Sequence, residues 1–259
     1  MKVSVLIISY KRAKYLRNAL DSLFKQNVKP NEVVIVLKPS RDGSEDVIKE
    51  FSDKLNVKLL TQEGNGVIDA YTQGIKHASG DIILFLDDDA IAESDWVEKY
   101  VHFFSENPNV GGITGLDFGV RIANNNDFII IKESSFEDYA EGFHRRPLKI
   151  LNDYAGYFST SGLCGSSKKL TVSKDIVKSI LFGGLNMGFR SFLIKDFPLE
   201  LLYKGSKKAF WFEKHLALNV VMRGYDAVKV REKSMAPVVY HTLNVDSLTR
   251  SKGFGMNFG

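Results

Sequence analysis

The stretch that most constrains the fold runs from Gly80 to Ala90, GDIILFLDDDA, where an apolar run ends at three consecutive carboxylates. The apolar residues Ile82 to Leu86 are too few for a surface helix and show no polar alternation, so they predict a strand buried on both faces of a parallel sheet. In open α/β sheets, ligands bind beyond the carboxyl ends of the strands. Asp87, Asp88 and Asp89 are therefore predicted to face a ligand crevice.

Three adjacent carboxylates also indicate a need for positive charge. They raise one another's proton affinity unless a cation or hydrogen-bond donors offset the charge. Mg²⁺ and Mn²⁺ prefer oxygen ligands and usually complete their shell with substrate phosphates, which makes either ion a candidate. Because side chains alternate along a strand, Asp87 and Asp89 are predicted to point one way and Asp88 the other. The alternative is an acidic turn in water, since Asp is common in turns.

Strand and helix patterns alternate through the first ninety residues. Strands are predicted at 3–8, 33–37 and 57–60, each followed by a helix with apolar residues at three- and four-residue spacing. Ser94 is predicted to cap a further helix, before a strand at 110–114. This alternation is typical of right-handed βαβ units and a parallel sheet, and so predicts an α/β fold.

The remainder of the chain is less regular. Strands are predicted at 128–131 and 225–230, a helix at 212–223, and a loop from 240 to 259. The glycine-rich stretch 183–190 is interpreted as a turn that leads into a helix. We divide the chain into a nucleotide-binding half, residues 1–115, and an acceptor-binding and catalytic half of the same domain, residues 116–259.

Composition narrows the classes of protein. The net charge of +4 suits an anionic ligand or a membrane surface without requiring nucleic acid. The single cysteine, Cys164, excludes an internal disulfide and a cysteine-based zinc site, and fits a reducing, cytoplasmic compartment. No window approaches the ~18 uninterrupted apolar residues of a membrane span, whereas peripheral contact with a membrane stays open.

Four motifs, in order, resemble the family 2 inverting glycosyltransferases of the GT-A fold. They are VSVLIISYKR at the start of the chain, ASGDIILFLDDDA with WVEKYV behind it, GLNMGFR, and FEKHLALNVVMRGY near the end. The resemblance covers most of the chain. It implies a GT-A central sheet, parallel or mixed and flanked by helices, with a smaller subregion for the acceptor, and it implies sugar transfer from a nucleoside diphosphate sugar such as a UDP- or GDP-sugar.

The resemblance assigns roles to residues on the donor side. Asp87 and Asp89 match the ends of an Asp-x-Asp motif and would bind Mn²⁺ or Mg²⁺, and Asp87 and Asp88 would also approach the nucleotide. His241 is similar to a third metal ligand of several relatives. The other residues implied in nucleotide-sugar binding are Ser9, Tyr10, Arg12, Lys38, Gly66 and Asp69.

On the acceptor side, Glu213 stands where the family keeps its general-base aspartate, and Phe212 replaces the acid before it. A glutamate there can still take the proton of an acceptor hydroxyl. Gly184 and Asn186 resemble a loop near the donor sugar, and Trp211 would stack on a sugar ring or belong to the core. The acceptor implied is a glycan or a lipid-linked phosphate, which would bring the protein to the cytoplasmic membrane surface.

Two departures from the family pattern keep alternatives open. Lys38 occupies the region where the family usually keeps an aspartate that reads the nucleobase, and Tyr71-Thr72 replaces an Arg-Asn pair. A catalytically inactive sugar-nucleotide-binding or glycan-binding relative is therefore the main non-enzymatic alternative. A nucleotidyltransferase is the enzymatic alternative, but this chain lacks the glycine-rich loop with Arg or Lys that such an enzyme needs after the first strand. Basic clusters such as Arg145-Arg146 favour nucleic acid only weakly, because most charge runs are solvated.

Overall fold

The computed structural model describes residues 1–64, 66–122, 128–133, 148–159, 164–165, 175–204, 206 and 211–243. The loop predicted at 240–259 is wrong over residues 240–242, which belong to the strand Val238–Thr242. The remainder of that loop beyond residue 243 lies outside the described part of the chain, as do Arg145 and Arg146. Among the described helices, none has the length and apolar character needed to cross a membrane.

The predicted alternation of strands and helices in the first ninety residues is confirmed. Its elements are β1 (Val3–Ser9), α1 (Ala13–Phe24), β2 (Glu32–Leu37), α2 (Ser44–Ser52), β3 (Val57–Thr61), α3 (Val67–His77) and β4 (Ile82–Leu86). β4 is buried along its whole length, as its unbroken apolar run predicts.

The chain continues with more and shorter elements than the sequence indicated. They are β5 (Ala90–Ala92), α4 (Trp96–Glu106), β6 (Val110–Thr114), β7 (Leu116–Ile122), β8 (Phe128–Glu133), β9 (Tyr157–Phe158), β10 (Cys164–Gly165), β11 (Ile176–Lys178), β12 (Asn186–Arg190), α5 (Ser191–Ile194), α6 (Leu199–Leu202), α7 (Phe212–Met222), β13 (Asp226–Val230) and β14 (Val238–Thr242). The residue that precedes α4 is Asp95, so the predicted cap at Ser94 is one residue too early.

A central sheet of eight strands organises the described chain, in the order β11-β13-β6-β12-β4-β1-β2-β3. β1 runs parallel to both β2 and β4, and β2 runs parallel to β3. β12 runs antiparallel between β4 and β6. The sheet is therefore mixed, and strands from both predicted halves of the chain alternate within it.

The prediction for residues 183–190 is wrong in its second part, since Asn186–Arg190 is a central strand. Its apolar residues Met187 and Phe189 are fully buried on one face of the sheet. Gly188 lies where β12 meets its neighbours, and an added Cβ would come 2.6 Å from Leu84 and 2.9 Å from Tyr100. The glycine that suggested a turn is required by close packing inside a sheet.

Two apolar clusters cover the faces of the central sheet. Val5 and Ile7 of β1 pack on one face with residues of α1, α2 and α4. Leu6 points to the other face, where residues of α3, α5 and α7 pack. Helices on both faces explain why the central strands are continuously apolar.

A second sheet, in the order β5-β14-β7-β8, extends from the end of β4. β14 pairs antiparallel with β5 and parallel with β7. β5 begins one residue after Asp89, so this sheet brings the late strand β14 to the aspartates.

Candidate active site

The three aspartates follow β4 directly, but they form a turn and do not continue the strand. β4 ends at Leu86, and the backbone N–H of Ala90 donates to the carbonyl of Asp87 at 3.1 Å. Strand alternation therefore does not apply to them. The predicted opposite orientation of Asp88 and Asp89 is wrong, because both carboxylates reach the same guanidinium group.

That guanidinium belongs to Arg12, which stands immediately before α1. Its Nη1 atom lies 3.2 Å from Oδ1 of Asp88 and 2.5 Å from Oδ2 of Asp89. Ser9, the last residue of β1, donates from Oγ to Oδ2 of Asp88 at 2.7 Å. Lys11 between them has a positive φ of 57°, and this bend turns the chain from the strand into the helix.

His241 reaches the same cluster from the other sheet. In the pairing of β14 with β5, His241 lies opposite Ala90. Its Nε2 atom is 3.3 Å from Oδ1 of Asp89. The next residue, Thr242, donates to the carbonyl of Asp89 from its backbone N–H at 3.0 Å and from Oγ1 at 2.6 Å. Both flanks of Asp89 are thus fixed by residues distant in sequence.

The pKa values show that this end of the sheet is short of positive charge. Burial, followed by the charge of Asp89, raises the pKa of Asp87 to about 7. Burial also raises the pKa of Asp88 to about 6, although Ser9 and Arg12 oppose it. For Asp89, the effect of burial is outweighed by His241 and Arg12, and its pKa is lowered. Arg12 and His241 together stabilise one carboxylate fully and leave its neighbours with raised proton affinity.

The residues predicted to bind a metal fit such an ion in part. Asp89 and His241 are brought together, and carboxylate oxygen with imidazole nitrogen is a donor set that Mn²⁺ accepts. Within the described residues, however, no three carboxylate, imidazole or thiolate groups are arranged to ligate one ion. A Mg²⁺- or Mn²⁺-type ion held by one or two protein ligands completes its shell with water and substrate phosphates, and this arrangement suits the pair.

Glu213 lies in the first turn of α7. Tyr71 of α3 links this residue to the aspartates. Burial raises the pKa of Tyr71 well above its usual value, and the negative charges of Asp87 and Glu213 raise it further. One phenol therefore lies within electrostatic reach of both carboxylates. Burial also raises the pKa of Glu213 itself to about 7.

Trp211 and Gly184 lie near the start of α7. Trp211 immediately precedes α7, with a positive φ of 65°, and its side chain is 39% exposed. The Lys214 ammonium lies 5.7 Å from the centre of the Trp211 indole. A Cβ added at Gly184 would lie 3.6 Å from the ring of Phe212. An exposed indole held in a rare backbone conformation next to a half-buried carboxylate fits a sugar-stacking position.

The side chain of Asn186 is fully hydrogen-bonded within the protein. Its side chain is buried, and Oδ1 accepts from Trp96 Nε1 at 2.8 Å and from the Tyr100 hydroxyl at 2.9 Å. Its Nδ2 donates to the carbonyls of Leu116 and Pro237, at 2.8 and 3.0 Å. With its amide used in full, Asn186 has no capacity left for a ligand, and we correct its predicted role to a structural one.

The other predicted nucleotide-binding residues lie at two places along the carboxyl edge. The Lys38 ammonium, at the end of β2, is 5.2 Å from the centre of the Tyr10 ring. Gly66 opens α3, and its N–H donates to Oδ2 of Asp69 at 2.9 Å. Asp69 thus caps a helix. None of these contacts joins Tyr10, Lys38, Gly66 or Asp69 to the aspartate cluster.

Three residues near the site were missed by the sequence reasoning. They are Tyr71, Thr242 and Asp117. Tyr71 was noted only as a departure from the family pattern. Thr242 could have been found through its position next to His241. The buried Asp117 of β7 adds to the effect of Asp89 in raising the pKa of His241, and its only signal is a carboxylate in a strand whose one other charged residue is Arg121.

Comparison with known proteins identifies the family and the fold. The family model described as Glycosyl transferase family 2 matches residues 4–162, more than half of the chain. The glucosyl-dolichyl phosphate glucuronosyltransferase of Haloferax volcanii is 33% identical over 127 residues, which cover 47% of this chain and 41% of that protein. A second relative comes from Methanococcus voltae and is named dolichyl N-acetyl-alpha-D-glucosaminyl phosphate 3-beta-D-2,3-diacetamido-2,3-dideoxy-beta-D-glucuronosyltransferase. It is 27% identical over 209 residues, which cover 75% of this chain and 62% of that protein.

Solved structures support the same architecture. The mannosyltransferase PcManGT of Pyrobaculum calidifontis, solved with GDP-Man and Mn²⁺, superposes with a TM-score of 0.59 at 19% identity, covering 95% of this chain and 58% of that one. At this identity the likeness concerns the fold alone, and the fold is GT-A. The chain spans between two fifths and two thirds of the length of these relatives.

Proposed function

Since the chain belongs to glycosyl transferase family 2, we propose that it moves a sugar from a nucleoside diphosphate sugar to a hydroxyl or phosphate-linked acceptor, with inversion at the anomeric carbon. The observation that carries the proposal is the position of Tyr71, whose ring centre lies 4.1 Å from that of Phe212, the residue before Glu213, and 6.0 Å from that of Phe85 in β4, the strand that leads to the aspartates. An acidic donor end and a separate carboxylate base then share one crevice at the carboxyl edge of the sheet.

Glu213 is the proposed general base. Its pKa of about 7 means that the carboxylate is half ionised near neutral pH. A base with a pKa near the working pH combines a useful ionised fraction with a strong tendency to accept a proton. Glu213 takes the proton of the acceptor hydroxyl while the acceptor oxygen attacks the anomeric carbon. The bond from that carbon to the diphosphate oxygen breaks, and a single displacement inverts the centre.

The donor end must stabilise the negative charge that grows on the leaving diphosphate. Asp89 and His241 would hold Mn²⁺ or Mg²⁺, which when bound acts as a Lewis acid toward the diphosphate. Asp87 and Asp88 lie next to this pair in the turn after β4. Ser9 holds Asp88 in place through its hydroxyl group, so β1 and β4 position the donor end together.

The nucleoside of a UDP- or GDP-sugar is proposed to lie near Tyr10 and Lys38. The Tyr10 ring has two ammonium groups close to it, those of Lys11 and Lys38, each 5.2 Å from its centre. Ammonium groups donate hydrogen bonds and do not accept them. This edge therefore suits carbonyl groups of a nucleobase better than amino groups.

The proposed acceptor is a glycan or a lipid-linked phosphate. Two relatives carry dolichyl phosphate compounds in their names, and an acceptor of that kind lies at a membrane surface. The protein would then act at the cytoplasmic face of a membrane through peripheral contact. Liposome sedimentation with anionic lipid at low salt tests this part, and the absence of binding there contradicts it.

A two-stage experiment tests the activity. Thermal shift with UDP and GDP, with and without Mn²⁺, identifies the nucleotide, because a ligand that binds the folded state raises its apparent stability. Release of that nucleoside diphosphate from a panel of its sugars is then measured with glycan and dolichyl phosphate acceptors, and the anomeric configuration of the product is read by NMR.

We expect release to depend on Mn²⁺ or Mg²⁺ and to be lost in Asp89→Asn. It should persist in Asp53→Asn, which removes an exposed carboxylate elsewhere on the surface. Nucleotide binding without release from any sugar donor would favour the catalytically inactive alternative. A product with the donor's anomeric configuration would contradict the single displacement.

A further inference from the structure

We propose that Arg12 is an exchangeable counter-cation of the aspartate cluster, which a divalent ion displaces from Asp89 and which then passes to the diphosphate of the donor. This inference rests on the proposed function and assigns Arg12 a part in the order of ligand binding. Its role is that of a positioning residue for donor and metal.

Both carboxylate oxygens of Asp89 already contact positively charged or polar groups of the protein. Oδ2 is held by Arg12 Nη1 at 2.5 Å, and Oδ1 lies 3.3 Å from Nε2 of His241. The neighbouring Asp88 is engaged in the same way, by Arg12 through Oδ1 and by Ser9 through Oδ2. Each carboxylate oxygen keeps a second lone pair, so an ion that ligates Asp89 would either share the carboxylate with both existing partners or displace one of them.

The partner that leaves is Arg12. A guanidinium group keeps its charge at all working pH values and has no lone pair to offer, so it cannot become a ligand. Neutral imidazole can, and His241 can remain beside Asp89 as a co-ligand. A divalent ion and the Arg12 guanidinium group on the same Asp89 carboxylate would also repel each other strongly, because water is largely excluded from this site. Only 12% of the Arg12 side chain is exposed.

Arg12 stays at the site after it leaves Asp89. Its backbone is fixed at the start of α1, where its carbonyl accepts from the N–H groups of Tyr15 and Leu16 at 3.0 and 2.9 Å. The contact with Asp88 can persist when the contact with Asp89 breaks, since the two involve different carboxylates. Arg12 then stays at the carboxyl edge, where the forked guanidinium group suits bidentate binding of a phosphate.

A binding order follows from this exchange. Without nucleotide, binding of a metal ion must break the Arg12–Asp89 ion pair. The free energy that this costs lowers the affinity for the ion. With nucleoside diphosphate present, the phosphates would bind Arg12, and Asp89 would be released to hold the ion. The two ligands therefore strengthen each other's binding, and linkage requires the same factor in both directions.

Isothermal titration calorimetry with Mn²⁺, in the absence and presence of the nucleoside diphosphate chosen from UDP and GDP, tests the proposal. The variants are Arg12→Gln and Arg12→Lys. The control is Arg17→Gln, which removes an arginine of α1 that pairs with the exposed Glu50, with Nη1 and Oε2 2.5 Å apart. Asp89→Asn serves as the variant without the metal ligand.

We expect Arg12→Gln to bind Mn²⁺ alone about tenfold more tightly than wild type, because the competitor is gone. The strengthening of Mn²⁺ binding by nucleotide should fall by a similar factor. Arg12→Lys keeps a positive charge without the forked guanidinium group, so its Mn²⁺ affinity should lie between those of wild type and Arg12→Gln. If Arg12→Gln does not fold, Arg12→Lys is the variant that tests the proposal. Arg17→Gln should match wild type.

The proposal is overturned if removal of the Arg12 charge leaves Mn²⁺ affinity unchanged or weaker while Asp89→Asn abolishes it. That outcome leaves the metal-dependent function intact. If wild type binds no Mn²⁺ even with nucleotide, the metal part of the proposed function fails first and this inference fails with it.

Discussion

The ring of Tyr71 stacks on the ring of Phe212, with centroids 4.1 Å apart and planes inclined by 25°. Tyr71 belongs to α3, which packs on β1 and β2, and Phe212 begins α7. Because Glu213 directly follows Phe212, this stack ties the proposed base to the central sheet. The donor end and the base are thus connected by packing as well as by charge.

Glu213→Gln should lower kcat for sugar transfer by about 10² to 10⁴, because the acceptor hydroxyl loses its proton acceptor while the shape of the site is kept. Binding of nucleotide should change little. Steady-state kinetics with calorimetry of nucleotide binding checks both. Glu98→Gln, an exposed glutamate in the first turn of α4, is the matched control. Equal rates in Glu213→Gln and wild type would remove Glu213 from the mechanism.

The stability of the protein should depend on pH through Glu213. Burial raises its pKa from 4.5 to about 7, so between these values the folded state binds a proton that the unfolded chain releases. The contribution of this group to the free energy of unfolding is full below about pH 4.5 and is lost as pH rises through about 7.

Relative to Glu213→Gln, wild type should therefore lose on the order of 3 kcal/mol between pH 4.5 and pH 8. Urea unfolding of both proteins at the two pH values measures the difference, in which the remaining titrating groups cancel. A stability gap that stays constant with pH contradicts the raised pKa.

Tyr71→Ala should destabilise the protein by about 3 to 5 kcal/mol, because it removes a buried aromatic ring and leaves a cavity beside Phe212. It should also lower kcat, since the start of α7 loses its support. Tyr71→Phe is the matched control, because it keeps the stacked ring and removes only the hydroxyl. Thermal unfolding and kcat of both variants decide the matter. If Tyr71→Ala unfolds like Tyr71→Phe, the stack does not support α7.

Asn186→Ala should cost about 3 to 5 kcal/mol of stability. The change leaves two buried donors, on Trp96 and Tyr100, and two carbonyl groups without the amide that now pairs with them. Asn56→Ala, which removes an exposed amide that donates at 2.9 Å to the carbonyl of Asn31, should stay within about 0.5 kcal/mol of wild type. Denaturant unfolding compares the two. Similar losses of stability in the two variants would show that the hydrogen bonds of the Asn186 side chain contribute little to the free energy of unfolding.

The sequence predicted the regular part of the fold well. β4 and the alternating elements around it were predictable because a continuous apolar run and helical spacing are local signals. The position of the aspartates at the carboxyl edge of the sheet was also predictable, because neighbouring parallel strands end at the same edge. β12 was not predictable in this way, because Gly188 indicates a turn by itself and acquires its packing role only when Leu84 and Tyr100 are near.

The details of the site depended on contacts between distant segments. The pairing of β14 with β5 places His241 beside Asp89, and no spacing in the sequence encodes that pairing. The resemblance to a family suggested His241 where periodicity could not. Arg12 was expected near the nucleoside, whereas its contacts with Asp88 and Asp89 appear only when β1 and β4 lie side by side.

The antiparallel β12 in the middle of the central sheet also affects how the protein is made. β4 and β6 leave the ribosome well before β12 exists, and each then carries an apolar strand edge with unpaired backbone groups. Such edges can pair with other chains or attract chaperones until the missing strand arrives. Translation speed across the region between β6 and β12 should therefore influence how much of the newly synthesised protein escapes aggregation.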